Sequence, residues 1–302
     1  MNEPAVPTGE GGLVRLRLDL TYDGTDFSGW ARQPDRRTVQ GVLEDALAKQ
    51  PPGASAVTPV VVAGRTDAGV HATGQVVHVD VTRFAGETRV GRIPVDADGI
   101  ADLKRARYRL NRVLPADVRV VAMERAPAGF DARFSAAKRH YRYQVSDAPW
   151  GVSPLRRRDT LAWNRPLSVE AMNQAASRLV GLHDFAAFCK QREGATTVRE
   201  LLGLRWERVD EHEVHLNVSA DAFCHSMVRS LVGALLFVGD GRRDAEWPAE
   251  LLESRVRSST VAPPHGLTLV RVDYPPDDEL ARRAEHTRNV RTVESSTGQT
   301  AP

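Results

Sequence analysis

The sequence contains little cysteine and no long apolar run, and these absences exclude several classes of protein. Cys189 and Cys224 are the only cysteines among 302 residues, too few for a disulfide-stapled fold, and we expect both to be buried thiols. No apolar run reaches the roughly 18 residues that a membrane span needs. The stretch 1–12 is polar and rich in proline and glycine, unlike a secretion signal. We therefore expect a soluble, cytoplasmic protein.

Lysine is scarce as well. Four lysines accompany 37 arginines, and the formal net charge is only +2. Arginine presents a planar fork that suits phosphate groups and stacks on bases. Codon usage in a GC-rich genome would raise the arginine content too, and so mild a charge does not establish a nucleic-acid partner. Composition alone therefore leaves the partner open.

Common nucleotide-binding and catalytic motifs are also missing. The sequence has no glycine-rich phosphate loop that ends in Gly-Lys-Ser/Thr, no Gly-x-Gly-x-x-Gly after the first predicted strand, and no Gly-x-Ser-x-Gly elbow. The Pro-Cys-x-x-Cys part of the zinc deaminase signature is absent too. Any catalytic activity has to depend on other side chains.

Apolar periodicity predicts nearly the same order of elements in each half of the chain. The elements of the first half are a strand at 13–22, a helix at 39–47, strands at 59–63 and 75–82, a helix at 103–113 and a strand at 117–123. Those of the second half are a strand at 139–145, a helix at 169–179, strands at 202–209 and 214–220, a helix at 227–238 and a strand at 267–272.

This order predicts an α+β fold of two similar β-α-β-β-α-β-like subdomains, each an antiparallel sheet backed by helices. We expect an N-terminal subdomain over 13–125 and a C-terminal subdomain over 126–275. The polar composition of 1–12 and 276–302 predicts disorder at both ends of the chain.

The loop 64–72 carries the densest signal for chemistry. Asp67 follows a short apolar strand and has small residues nearby, which leaves room for another molecule. Arg65 can pair with its carboxylate and keep it ionised. An ionised, oriented aspartate can act as a nucleophile, a general base or a metal ligand, and His71 lies four residues further along. The same residues would also suit a plain turn with a surface ion pair.

A series of short stretches matches one known family in the same order, and 65–69 is the most specific of them. The matching residues are 22–25 with Phe27, Gly29 and Trp30; 38–40 with Leu43 and Glu44; 63–71 with Gln75 and Val76; 130–136; 141–143; Asp184, Phe185 and Phe188; Phe223; 227–229; and Gly266, Leu267, Leu269, Tyr274 and Pro275. Through these residues the chain resembles the bacterial tRNA pseudouridine synthase A family over about 15–275.

The resemblance implies an isomerase that converts uridine to pseudouridine at positions 38, 39 and 40, in the anticodon stem and loop of tRNA. It implies the pseudouridine synthase fold, with the active-site cleft between the two subdomains. It also implies a homodimer, tRNA as the partner, and no cofactor or metal, in keeping with the missing cofactor motifs.

The catalytic aspartate of the family matches Asp67, which could attack C1′, attack C6 or remove a sugar proton. The resemblance implies Arg65, Tyr141 and Arg229 as further catalytic residues. Tyr141 would stack on the uracil once that base has left its stack, as an enzyme acting on a base requires. Arg229 lies in a nearly apolar helix, where a charge is costly unless it is paired, and Asp67 is its expected partner.

Substrate binding is expected at Tyr141, Arg65, Lys138, Arg139 and Arg142. The basic side of the predicted helix at 103–113 could follow the RNA backbone or could be an ordinary solvated face. Two rival hypotheses remain: an RNA-binding protein that has lost catalysis, and a metal-assisted hydrolase built on Asp67 and His71. The residues Cys224, His225 and Ser226 depart from the family pattern and receive no role.

Overall fold

A computed structural model describes residues 12–50, 59–82, 89–90, 93–94, 102–190 and 196–288. Within these residues the chain forms two compact units. The first extends as far as His140 and includes Pro264–His286, while the second contains Tyr141–Pro263. The first unit therefore extends past residue 125, our predicted boundary. It also includes a segment from the C-terminal region of the chain.

The predicted helices and strands occur in the predicted order, and short strands and two further helices, at 247–254 and 280–288, are added to them. In chain order they are Leu13–Tyr22 (β1), Val39–Ala48 (α1), Val61–Val62 (β2), His71–Thr82 (β3), Arg89–Val90 (β4), Ile93–Pro94 (β5), Leu103–Val113 (α2), Val118–Arg125 (β6), Lys138–Ser146 (β7), Leu161–Ala162 (β8), Val169–Ser177 (α3), Gly181–Asp184 (β9), Val198–Asp210 (β10), Glu213–Ala220 (β11), Met227–Gly239 (α4), Trp247–Ser254 (α5), Leu267–Asp273 (β12) and Leu280–Arg288 (α6).

The sheet of the first unit has the strand order β6-β1-β3-β12, and β2 pairs with β3. β1 is antiparallel to both of its neighbours, with Leu18 opposite Val77 of β3 and Met123 of β6. Its alternate residues Leu16, Leu18 and Leu20 are buried, as the period-two pattern predicts. β12 joins β3 in parallel, and this pairing explains why the segment after 263 belongs to the first unit.

Helices α1 and α2 begin at side-chain caps. Thr38 Oγ1 accepts the N–H of Gly41 at the start of α1, and Asp102 accepts the N–H of Lys104 at the start of α2. Asn111 of α2 exchanges two hydrogen bonds with the backbone of Val120 on β6. These bonds hold α2 against the sheet by its inner face.

The second unit contains β7, β11, β10 and β9 in that order, with β8 parallel to β7. β10 and β11 form an antiparallel hairpin, in which Asp210 pairs with Glu213. α3 packs on α4 and on β10, and α4 is buried along almost its whole length. The predicted α+β class, with mostly antiparallel strands backed by helices, is confirmed.

The two cysteines form a disulfide, and the expectation of two thiols is wrong. Cys189 and Cys224 have Cα atoms 5.8 Å apart although 35 residues separate them in sequence. The N–H of Lys190 donates to the carbonyl of His225 at 3.0 Å and holds the two segments side by side. Since this proximity arises from tertiary contacts, the spacing of the cysteines gave no sign of it.

The structure differs from the predicted disordered tail over part of its length. A 3-10 turn at Asp277–Glu279 leads into α6, where Leu280 and Ala284 are buried one turn apart. Ser135 Oγ also donates to the carbonyl of Leu280 at 3.2 Å. The remaining predicted disorder, at 1–11 and 289–302, lies outside the described residues. In the described ranges no helix is both long and apolar enough to cross a membrane.

His78 on β3 makes the stability of the first unit depend on pH. Burial, and then the charge of Arg15, lower the pKa of His78 to about 4, and its Nδ1 accepts the N–H of Ala132 at 2.9 Å. In the unfolded chain this histidine has an ordinary pKa near 6.5. Between about pH 6.5 and 4 the unfolded chain therefore binds a proton at His78 and the folded chain does not. We therefore expect the free energy of unfolding to fall as pH drops from about 6.5 to 4, by at most about 3 kcal/mol.

Urea unfolding at several pH values between 7 and 4.5 measures this dependence. His78→Asn offers an acceptor without a titrating ring, so its unfolding free energy should fall less steeply with acid than that of the wild type. His286→Asn removes an exposed histidine of α6 and should keep the wild-type slope. Equal slopes in all three proteins would show that His78 does not carry the effect.

Candidate functional site

Asp67 lies in the loop at 63–70, which connects β2 to β3 in the first unit. The backbone turns at this residue, because the N–H of Val70 donates to the Asp67 carbonyl at 3.2 Å. Thr66 and Val70 are buried, Asp67 is half-buried, and Ala68 is exposed. The loop therefore anchors itself on both sides of the aspartate while leaving small residues at its surface.

Backbone contacts with the segment 23–30 hold this loop in place. Trp30 donates its N–H to the carbonyl of Thr66 at 3.0 Å, and Gly69 donates to the carbonyl of Phe27 at 3.3 Å. Gly69 has φ +77°, a left-handed conformation that favours glycine. The carbonyl of Val70 lies so close to Gly24 that any Cβ at Gly24 would overlap it. The segment and the loop are therefore fitted to each other without room for a side chain.

A buried hydrogen-bond network lies beneath the loop. The hydroxyl groups of Tyr22 and Thr66 are 2.8 Å apart, and Gln75 Nε2 donates to Tyr22 at 3.2 Å and to the carbonyl of Gly64 at 2.8 Å. Burial raises the pKa of Tyr22 to about 12, although its two hydrogen bonds oppose the shift. Tyr22 therefore stays protonated at neutral pH and acts here as a hydrogen-bonding support.

Arg139 supports the loop from the β7 side, and its expected contact with RNA stays a prediction. The residue is 7% exposed, and its guanidinium donates to the carbonyls of Ala63 and Arg133 at 2.8 Å each. Ala63 directly precedes the loop, and its own N–H donates to Val76 of β3. The guanidinium binds the backbone of the first unit, where it fixes the start of the loop at 63–70.

His71 is bound to the backbone through both ring nitrogens. Nδ1 accepts the N–H of Gly24 at 3.0 Å, and Nε2 lies 3.0 Å from the carbonyl of His265. Nδ1 also lies 3.2 Å from Asp23 Oδ1. This arrangement removes the observation behind a metal site on Asp67 and His71, because neither nitrogen is left to coordinate an ion.

Arg65 does not form the ion pair with Asp67 that their spacing suggests. Its side chain is exposed, and within the described part of the chain it makes no ion pair or hydrogen bond. Thr66 lies between them and is buried, with hydrogen bonds to Trp30 and Tyr22. Arg65 before it is exposed, whereas Asp67 after it is half-buried. The guanidinium of Arg65 is open to solvent and to a ligand.

Tyr141 and Arg229 belong to the second unit. Tyr141 on β7 is 7% exposed, and its ring meets the ring of Phe223 edge to face with the centroids 5.2 Å apart. Arg229 on α4 is half-buried, and its Nε donates to the carbonyl of Ala262 at 2.7 Å. One hydrogen bond therefore orients the Arg229 guanidinium within its unit, and its pairing with Asp67 stays a prediction.

Tyr143, two residues after Tyr141, has a structural role. Its hydroxyl donates to the carbonyl of Pro263 at 2.8 Å, and burial raises its pKa above the ordinary range despite the nearby charge of Arg229. Lys138 and Arg142 are exposed on β7, and Arg142 donates to Asn217 at 3.3 Å. Both cations keep surface positions that suit a phosphate ligand.

The support residues Tyr22, Thr66, Gln75 and Arg139 received no supporting role from the sequence. A signal for one of them was present. Gln75 is an amide at the start of a strand whose following residues are mostly apolar, and the structure leaves it 0% exposed. A polar side chain in a buried position has to find partners, and here those partners are the loop backbone and Tyr22.

Comparison with known proteins gives consistent results. The family model described as tRNA pseudouridine synthase matches residues 20–135 and 175–275. The tRNA pseudouridine synthase A of Frankia casuarinae is 58% identical over 292 residues, which cover 95% of this chain and 99% of that protein. The proteins of the same name from Streptomyces griseus and Mycobacterium leprae are 55% and 53% identical, over 94% and 92% of this chain and 96% of each relative.

Proposed function

Because the chain belongs to the tRNA pseudouridine synthase family, we propose that it isomerises uridine to pseudouridine at positions 38, 39 and 40 of tRNA. The observation that best supports this is the loop at 63–70, which holds the half-buried Asp67 beside the small, exposed Ala68 and the half-buried Gly69. The proposal includes the anticodon stem and loop as the recognised region, a cofactor-free reaction, and a cytoplasmic homodimer as the working form.

The reaction is an isomerisation and needs no second substrate. The N1–C1′ bond breaks, the uracil turns, a C5–C1′ bond forms, and the proton on C5 is lost while N1 ends with a proton. Asp67 can enter at C1′, at C6 or by removing a sugar proton. All three routes need an anionic carboxylate at a fixed position, and the contacts of Thr66, Val70 and Gly69 supply that fixed position.

The target uridine has to leave its stack before it can meet a carboxylate on a protein loop. The small Ala68 and Gly69 leave room for the base beside Asp67. Arg65 is exposed and without an ion pair among the described residues, so its planar guanidinium is suited to stack in the vacated space or to bind a phosphate. Tyr141 and Arg229 keep the roles that the resemblance implies.

Tritium release from tRNA transcripts that carry 5-tritiated uridine tests the activity and its position together. We expect release from a transcript with uridines at 38–40 and none from a matched transcript with cytidines there. Equal release from both would retain the activity and overturn the positions. Bound tRNA without release from either would favour the RNA-binding alternative. Release that persists with a chelator, in tRNA that stays folded, would discard a metal-assisted reaction.

A further inference from the structure

α2 presents an outer face that is unusually basic for this chain. The helix sequence LKRARYRLNRV contains five cations and no acid. Ala106 and Leu110 are buried against the first unit, and the opposite side of the helix is exposed. We call this exposed set the basic face of α2; it comprises Lys104, Arg105, Tyr108, Arg109 and Arg112.

The charges of this face have little internal compensation. Arg105 has a carboxylate partner in Asp102 at 3.5 Å, but within the described residues Lys104, Arg109 and Arg112 have none. Like charges three and four residues apart on a helix repel each other, so the face disfavours the isolated helix slightly.

Two other exposed arginines of the first unit, Arg32 and Arg37, have carboxylate partners. Arg32 contacts Glu44 and Asp45, and Arg37 binds both carboxylate oxygens of Asp117. On the basic face, three cations lie close together without a carboxylate partner among the described residues, and such a cluster suits a polyanionic ligand.

An exposed aromatic ring lies among these cations. Tyr108 is 64% exposed, and the guanidinium carbon of Arg112 lies 6.0 Å from its ring centre. Lys49 at the end of α1 adds another cation beside Tyr108, Arg109 and Arg112, and together they line a shallow groove. Cations that alternate with a stackable ring are typical of surfaces that bind RNA.

We propose that the basic face of α2 binds the sugar-phosphate backbone of the substrate tRNA, outside the loop that carries Asp67. The proposal rests on the proposed function for the identity of the RNA. From Lys104 to Arg112 the face is about 12 Å long, enough to span more than one phosphate of an RNA strand. Arginine forks bind these phosphates, and the ring of Tyr108 packs on a ribose or a base.

Salt-dependent titration of labelled tRNA tests the site without requiring turnover. For Arg109→Gln/Arg112→Gln we expect about tenfold weaker binding near 150 mM salt. The slope of log affinity against log salt should become shallower by about 1.4 to 1.8, as loss of two phosphate contacts requires. Tyr108→Ala should weaken binding without changing that slope. Glutamine keeps good helix propensity, so α2 itself should persist.

The matched control is Arg165→Gln/Arg205→Gln, which removes the same charge from two exposed arginines of the second unit. We expect less than a twofold change in tRNA affinity. If the α2 double variant also changes less than twofold while the enzyme turns over tRNA, the inference is overturned and the proposed function stands.

Two further outcomes are decisive. Polyglutamate, titrated in place of tRNA, serves as a probe for an acidic protein partner. If the α2 double variant loses polyglutamate binding but keeps tRNA binding, the face belongs to an acidic protein and the inference is overturned. If the wild type binds tRNA through α2 but forms no pseudouridine, the RNA site stands and the proposed function fails.

Discussion

Asp67→Asn should abolish pseudouridine formation while tRNA still binds. The amide has nearly the shape of the carboxylate but cannot act as an anionic nucleophile or base, so each of the three chemical routes loses its reacting group. We expect the rate at saturating tRNA to fall at least about ten-thousandfold. Tritium release at saturating tRNA gives the rate, and titration of labelled tRNA gives the affinity.

The control Asp278→Asn removes the same charge from an exposed position near the start of α6, away from the loop. It should retain nearly the full rate. An Asp67→Asn enzyme that keeps more than about one hundredth of the wild-type rate would show that another carboxylate performs the chemistry. A variant that has also lost tRNA affinity would have to be compared by thermal unfolding before its rate is interpreted.

The sequence predicts the elements around the site well, because their signals are local. β1 alternates in period two, and Asp67 follows a short apolar strand as expected. Each of these features depends on residues within a few positions of one another. The fold class follows from their order, without knowledge of any distant contact.

Arg139 shows where the charge pattern and the strand period lead to different expectations. Its position beside Tyr141 and between other cations suggested an RNA contact, but side chains along β7 alternate between the two faces of the strand. Lys138 and Arg142 are exposed, whereas Arg139, Tyr141 and Tyr143 share the buried face. The alternation of β7 already places Arg139 on the buried face with Tyr141 and Tyr143. Our prediction followed the charge pattern instead.

The Arg65–Asp67 pair and the tail fail for another reason, since both depend on distant partners. The conformation between Arg65 and Asp67 is set by Thr66, which bonds to Trp30 and Tyr22 more than thirty residues earlier. In the tail, Leu280 and Ala284 are two apolar residues in a highly charged segment, and average composition hides them. Their one-turn spacing is a local signal for α6.

Gly24→Ala should strongly reduce the catalytic rate, because it displaces the backbone of the loop that carries Asp67. A Cβ at this position would overlap the carbonyl of Val70, and the overlap can be relieved only by moving the segment 23–30 or the loop itself. A displacement of about 1 Å at a reacting group can cost on the order of a hundredfold in rate. We expect kcat/KM to fall by about that factor, with most of the loss in kcat, because the proposed phosphate contacts lie elsewhere.

Gly64→Ala is the matched control, because a Cβ on Gly64 meets no atom within 4 Å and the position does not have a positive φ. The two variants add the same methyl group at opposite ends of the contact between the loop and its support. A hundredfold loss in Gly24→Ala alone, with secondary structure intact by circular dichroism, would mean that catalysis depends on the placement of Asp67. Equal small losses in both would mean that catalysis tolerates displacement of the loop. The 23–30 segment would then not be what holds the Asp67 carboxylate in position.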